Sequence, residues 1–151
     1  MTNYLQITSD KDQRPSTTGP IVVTMNRDDF ISGIEHTAET GTLKILETGI
    51  YVVICAPQVG RLSGTENRYV DFWLRQNGKD LDDSNVRIVV GNKGSKDVIV
   101  NQTMMPFKAG DTLNVMMSVE VADEGLGIEA IKPDDEPLIP SIIFSMHKIG
   151  D

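Results

Sequence analysis

From Ile21 onward the chain is a succession of short apolar runs, each cut off by tight-turn residues, and no stretch carries helical periodicity. Gly49-Ile50-Tyr51-Val52-Val53-Ile54 opens one run, and Tyr69-Val70-Asp71-Phe72-Trp73-Leu74 leads into Asn77-Gly78. Lys108-Ala109-Gly110-Asp111 precedes Leu113–Val121, and Ser141-Ile142-Ile143-Phe144-Ser145 forms a last run. Apolar residues recur every second position in a half-buried strand and about every 3.6 in a helix, so this patterning restricts the chain to strands. Asn-Gly favours two consecutive positive φ angles, the geometry that joins antiparallel neighbours. The strands expected are Ile21–Met25, Thr42–Leu46, Ile50–Ala56, Tyr69–Gln76, Val86–Val90, Asp97–Met104, Leu113–Val121 and Ile142–Ile149. Thr48-Gly49, Asn77-Gly78, Asn92–Gly94 and Gly110-Asp111 supply turns. The predicted class is all-β, a two-sheet antiparallel sandwich or a barrel.

Alternation separates inside from outside. Val70, Phe72 and Leu74 share one face of their run, and Tyr69, Asp71, Trp73 and Arg75 the other. Val115 and Met117 line one face of the run after Gly110, and with Phe144 these residues form the expected core. Ile50–Ala56 differs. Tyr51, Val53 and Cys55 alternate with Ile50, Val52, Ile54 and Ala56, and both sets are apolar. A strand apolar on both sides must be covered on both sides, and a sandwich supplies only one cover. The other has to come from a loop or a second subunit. Tyr51, Val53 and Cys55, together with Tyr69, Trp73 and Arg75, are the expected subunit contacts, since Trp, Tyr and Arg concentrate at such interfaces. Residues 1–20 read as an N-terminal arm or edge strand, because Asp10–Pro20 is rich in turn formers and hydroxyls. Residues 21–151 read as one domain. Residues 122–141 form a long acidic gap with three prolines, in which Gly127–Ile131 has room for a short strand.

Charge and chemistry narrow the function. A net charge of −8 with scattered Lys and Arg excludes a phosphate-binding face, so nucleic acid is not an expected partner. No window approaches the roughly 20 apolar residues of a membrane helix, and the start lacks an apolar signal-type core. The chain is expected to be soluble, with no membrane insertion. Cys55 is the only cysteine, which excludes an internal disulfide, and its apolar surroundings suit a buried thiol. His36 and His147 lie far apart with no second ligand nearby, and neither a phosphate loop nor a Gly-x-Ser-x-Gly elbow occurs. No catalytic residues are assigned, and no enzymatic activity is expected. Asn101-Gln102-Thr103 matches a glycosylation sequon but falls in an expected strand. Calcium is the one ion the sequence suggests, through Asp80, Asp82 and Asp83 after the Asn77-Gly78 turn, with Asp123, Asp134 and Asp135 as a second acidic group.

The order of these motifs resembles the jelly-roll family shared by the globular head of complement component one-q and tumour necrosis factor. Thr40-Gly41-Thr42-Leu43 followed by Gly49-Ile50-Tyr51, then Arg75-Gln76-Asn77-Gly78, Ala109-Gly110-Asp111 and the closing Ser141–Ser145 segment carry the resemblance over residues 21–149. It implies a two-sheet jelly roll that assembles as a tight homotrimer without chemistry of its own. The chain has no Gly-X-Y run, and its last strand reads Met146-His147-Lys148 where the family favours glycine and apolar residues. A microbial or viral surface, spore-coat or fibre-tip head fits these departures better than an animal cytokine. The function expected is therefore a non-enzymatic trimeric binding or structural head whose loops meet a protein or carbohydrate ligand. The alternatives are a viral or phage fibre or capsid head, or a jelly-roll carbohydrate-binding protein or enzyme.

Overall fold

The computed structural model describes residues 3–92 and 94–151. Met1 and Thr2, in the expected arm, and Lys93, in the turn expected at Asn92–Gly94, lie outside the described residues. In chain order the strands are β1 (Tyr4–Ser9), β2 (Ile21–Val22), β3 (Arg27–Ser32), β4 (Ile34–His36), β5 (Leu43–Ile45), β6 (Gly49–Gly60) and β7 (Arg68–Gln76). They continue as β8 (Lys79–Asp80), β9 (Val86–Val90), β10 (Asp97–Val98), β11 (Asn101–Phe107), β12 (Thr112–Val119), β13 (Gly127–Ile128) and β14 (Ile142–Gly150). The described residues contain no helix.

The strands form two seven-stranded antiparallel sheets. The first runs β3-β1-β14-β6, with β10, β11 and β13 also paired to β6. The second runs β4-β5-β12-β7-β8, with β2 on β12 and β9 on β7. Asn77 and Gly78 take φ of 52° and 79° and close the β7–β8 hairpin, where an ordinary side chain would be strained. Consecutive strands repeatedly fall in opposite sheets, as β5 to β6, β6 to β7 and β11 to β12 do. That crossing between layers makes the sandwich a jelly roll.

Between the sheets lies one apolar core. Val70, Phe72 and Leu74 from β7, and Val115 and Met117 from β12, meet Tyr51, Val53 and Cys55 from β6 and Phe144 from β14. Tyr51 is fully buried. Its hydroxyl donates to the Glu47 carbonyl at 2.8 Å, and its ring meets Phe107 edge-on at 5.5 Å. The one polar atom of the largest aromatic in the core is thereby satisfied.

The N-terminal segment differs from its sequence reading. Tyr4–Ser9, expected as an arm or edge strand, is an interior strand between β14 and β3, with Leu5 and Ile7 buried. Its Leu and Ile complete the core face of the first sheet, which explains why it is not left at the margin. The turn-rich stretch after it is also held down. Gln13 exchanges backbone hydrogen bonds with Ile128, both at 3.0 Å. The chain there passes so close to Gly127 that a Cβ at that position would lie 2.0 Å from the Gln13 carbonyl oxygen. Expected Asp97–Met104 divides into β10 and β11, which pair with opposite ends of β6.

Phe144 is fully buried at the centre of this core. Replacing it with Ala is expected to cost about 3–5 kcal/mol through the cavity left behind. Chemical denaturation followed by far-UV circular dichroism measures the loss.

Candidate assembly face

The two faces of β6 meet different surroundings. Tyr51, Val53 and Cys55 point into the core and are at most 2% exposed, so they cannot reach a second subunit. This corrects their assignment as subunit contacts. Ile50, Val52, Ile54 and Ala56 point outward and are half-buried. Both sets are apolar, so composition does not reveal which one the second sheet covers.

Register extends the outward set across neighbouring strands, because residues directly opposite in a sheet share a face. Met104 of β11 and His147 of β14 lie opposite Val52, Gln102 and Ser145 opposite Ile54, and Ile143 opposite Ala56. Met104 is 62% exposed and Ile143 40%. Toward β3 the face ends in Tyr4 and Phe30, whose rings meet edge-on at 5.9 Å. The result is an apolar band along β6, with Met104 and Ile143 beside it and the aromatic pair two strands away, over which no strand of the described residues packs. Val98 and Val100 add exposed apolar side chains on β10 and the approach to β11, whereas the exposed Val89 of β9 lies opposite Tyr69 on the second sheet.

Tyr69, Trp73 and Arg75 sit on the opposite outer surface, on β7 of the second sheet. They are not contiguous with the β6 band, and the Trp73 indole N–H and the Arg75 guanidinium already have partners. The Arg87 guanidinium lies 3.6 Å from the Tyr69 ring centroid and forks onto Asp71 at 2.8 and 2.9 Å. Trp73 Nε1 and Arg75 Nε both donate to Asp80 Oδ1 at 2.8 Å. This surface is laced by its own ion pairs and is not an apolar patch.

Asp80 is therefore occupied by a guanidinium and an indole, and those hydrogen bonds hold its carboxyl below the usual range. Asp82 and Asp83 project into solvent beside it. Among the described residues no three His, Cys, Asp or Glu side chains come together as a metal-binding group. His36 is likewise engaged, with Nδ1 2.6 Å from Asp28 Oδ1 and Nε2 2.8 Å from the Thr40 carbonyl oxygen. Burial pushes the Cys55 thiol up to about 12, which leaves no thiolate for nucleophilic attack at neutral pH.

One feature left no trace in the sequence pattern. The Arg61 side chain is fully buried beside Glu124, and it donates to the carbonyl oxygens of Ser63 at 2.8 Å and Gly91 at 2.7 Å. Arg68 joins Glu124 from the side and reaches Glu120 at 3.1 Å. Glu129, 3% exposed, lies between Arg14 at 2.7 Å and Lys96. These charges fasten the first half of the acidic 122–141 loop to the body, and an Ile131–Ile139 bridge folds its second half on itself.

No family model and no curated protein sequence matches the chain. Its fold, however, is a recognised class, the tumour-necrosis-factor-like jelly roll. Crystal structures of murine APRIL at pH 8.5 and pH 5.0 superpose on it with TM-scores of 0.60 at 14% and 12% identity. A further one at pH 8.0 gives 0.59 at 14%. Each match covers 99% of this chain and 100% of the other. At that identity the likeness is one of fold.

Two outcomes follow from these contacts. With Asp80 held by Arg75, the melting temperature is expected to be the same in chelator and in millimolar calcium. A calcium-dependent rise would mean that an ion displaces the guanidinium. The Glu124 carboxyl is held below its ordinary range, chiefly by hydrogen bonds from Arg68. Its folded pKa thus lies under the unfolded value of about 4.3, so its contribution is present above that pH and lost as pH falls through the folded pKa. Glu124→Gln is expected to show a shallower drop in melting temperature below about pH 4 than the parent.

Proposed function

We propose that the chain is a non-enzymatic head that assembles through the outward face of its first sheet, three copies closing around an axis. The observation that carries this reading is the uncovered band of Ile50, Val52, Ile54 and Ala56 with Met104 and Ile143 beside it. Soluble monomers seldom leave so continuous an apolar surface in water. Closed symmetry buries it without producing an open filament. The exposed Val98 and Val100, on β10 and just after it, supply an apolar edge for a neighbouring copy to set against the band. The resemblance in sequence favours a threefold over a twofold axis, and it also supports a binding or structural role. In such an assembly the tethered loops at the ends of the sandwich are the surfaces left for a protein or carbohydrate ligand.

Size-exclusion chromatography with light scattering tests the reading. Three times the 16.6 kDa chain mass is expected for the parent protein. Val52→Glu or Ile54→Glu places a charge on the band and is expected to shift the mass toward one chain. Trp73→Ala, on the other surface, is expected to leave it unchanged. A folded monomer at micromolar concentration overturns the proposal.

A further inference from the structure

At one end of the sandwich the two sheets part around a groove of about 670 Å3. Its walls come from the start of β6 (Gly49, Ile50), the end of β11 (Pro106, Phe107) and the β7–β8 hairpin with Leu81. The floor is apolar and fixed. Phe107 is 2% exposed and locked edge-on against Tyr51, whose hydroxyl is tied to Glu47. A volume of this order suits a small organic molecule.

The charges around the groove are unequal in their commitments. Every side-chain carboxylate lining it already has a donor or cation within the chain. Asp80 accepts from Arg75 and Trp73. Asp111 accepts from Asn77 at 2.9 Å, Gln76 at 3.1 Å and the Lys108 backbone N–H at 2.8 Å. Asp151 pairs with Lys148 at 3.2 Å. Lys79 and Lys108 also line the groove, and among the described residues neither ammonium has a salt-bridge or hydrogen-bond partner. An apolar floor beneath two uncommitted cations matches a ligand with an apolar body and one anionic head.

We infer that this groove binds a small amphipathic carboxylate, its hydrocarbon or aromatic body over Phe107, Ile50 and Leu81 and its carboxylate between Lys79 and Lys108. The site is built within one chain and adjoins the proposed assembly band at Ile50, the residue common to both. A cationic amphiphile would meet two unpaired ammonium groups, and an uncharged one would leave both without a counter-charge.

Decanoate and decyltrimethylammonium below their micellar concentrations, and decan-1-ol below its solubility limit, are the probes. Backbone amide shifts of the 151-residue chain report both position and affinity. Decanoate is expected to bind saturably, with shifts clustered at Gly49, Ile50, Leu81, Phe107 and Lys108. Lys79→Ala with Lys108→Ala is expected to weaken decanoate by about tenfold or more while leaving decan-1-ol unchanged. Both lysines are exposed, so the variant keeps its fold, which an unshifted melting temperature verifies. The inference is overturned if decan-1-ol or the cationic probe binds as tightly as decanoate. It is equally overturned if the double variant binds like the parent, or if the shifts lie elsewhere. The assembly mass is read in parallel, so failure here is distinguishable from failure of the trimer.

Discussion

The architecture depends on one strand that has no polar side. β6 pairs with β14 and β11 along its length and with β10 and β13 at its far end, so it organises the whole first sheet. The second sheet removes one of its apolar faces from water, and the other remains for something outside the chain. The inward face carries Tyr51. Its hydroxyl needs an acceptor once buried, and the Glu47 carbonyl four residues away provides it. A slip of one residue in β6 would carry that hydroxyl outside and put Ile50, Val52 and Ile54 in the core.

The ends of the sandwich are closed by different means. The loops at 61–68 and 122–131 have few large apolar residues, and ionised side chains do the joining instead. A guanidinium buried as completely as that of Arg61 is tolerable only if its donors are met, and carbonyl oxygens from two separate loops together with Glu124 meet them. Leu126 and Ile128 then supply the apolar part of the closure from within the same acidic loop. Charge fixes the position of that loop, while the two apolar residues exclude water beneath it.

Much of the fold was legible in the letters. Where polar and apolar residues alternate strictly, as from Tyr69 to Gln76, the strand and its inward face are both readable, and the turn at Asn77-Gly78 follows from its backbone requirement. Legibility failed for physical reasons at identifiable places. Parity in β6 is invisible because either set of side chains would satisfy a core. β1 reads only as an arm or edge strand because the turn-rich Asp10–Pro20 follows it, and nothing local records that Leu5 and Ile7 sit beside β14. Arg27–Ser32 carries two adjacent aspartates and holds its place by pairing with β1 at the sheet margin, where charge is tolerated. The partners of Arg61 lie up to 63 residues away, beyond the reach of any pattern in sequence.

The interior position of β14 has a consequence for how the chain is made. β14 lies between β1 and β6, joining Ile7 to Phe144 and Cys55 to Phe144 across the sheet. Until residues 142–150 have left the ribosome, the first sheet consists of two unjoined pieces, each with an open hydrogen-bonding edge. Ile7 and Phe144, far apart along the chain, must therefore find each other, a closure of high contact order that places this fold among the slower folders. A ribosome pausing before β14 is made would hold an adhesive, incomplete sheet, which a chaperone or a neighbouring nascent copy would meet first.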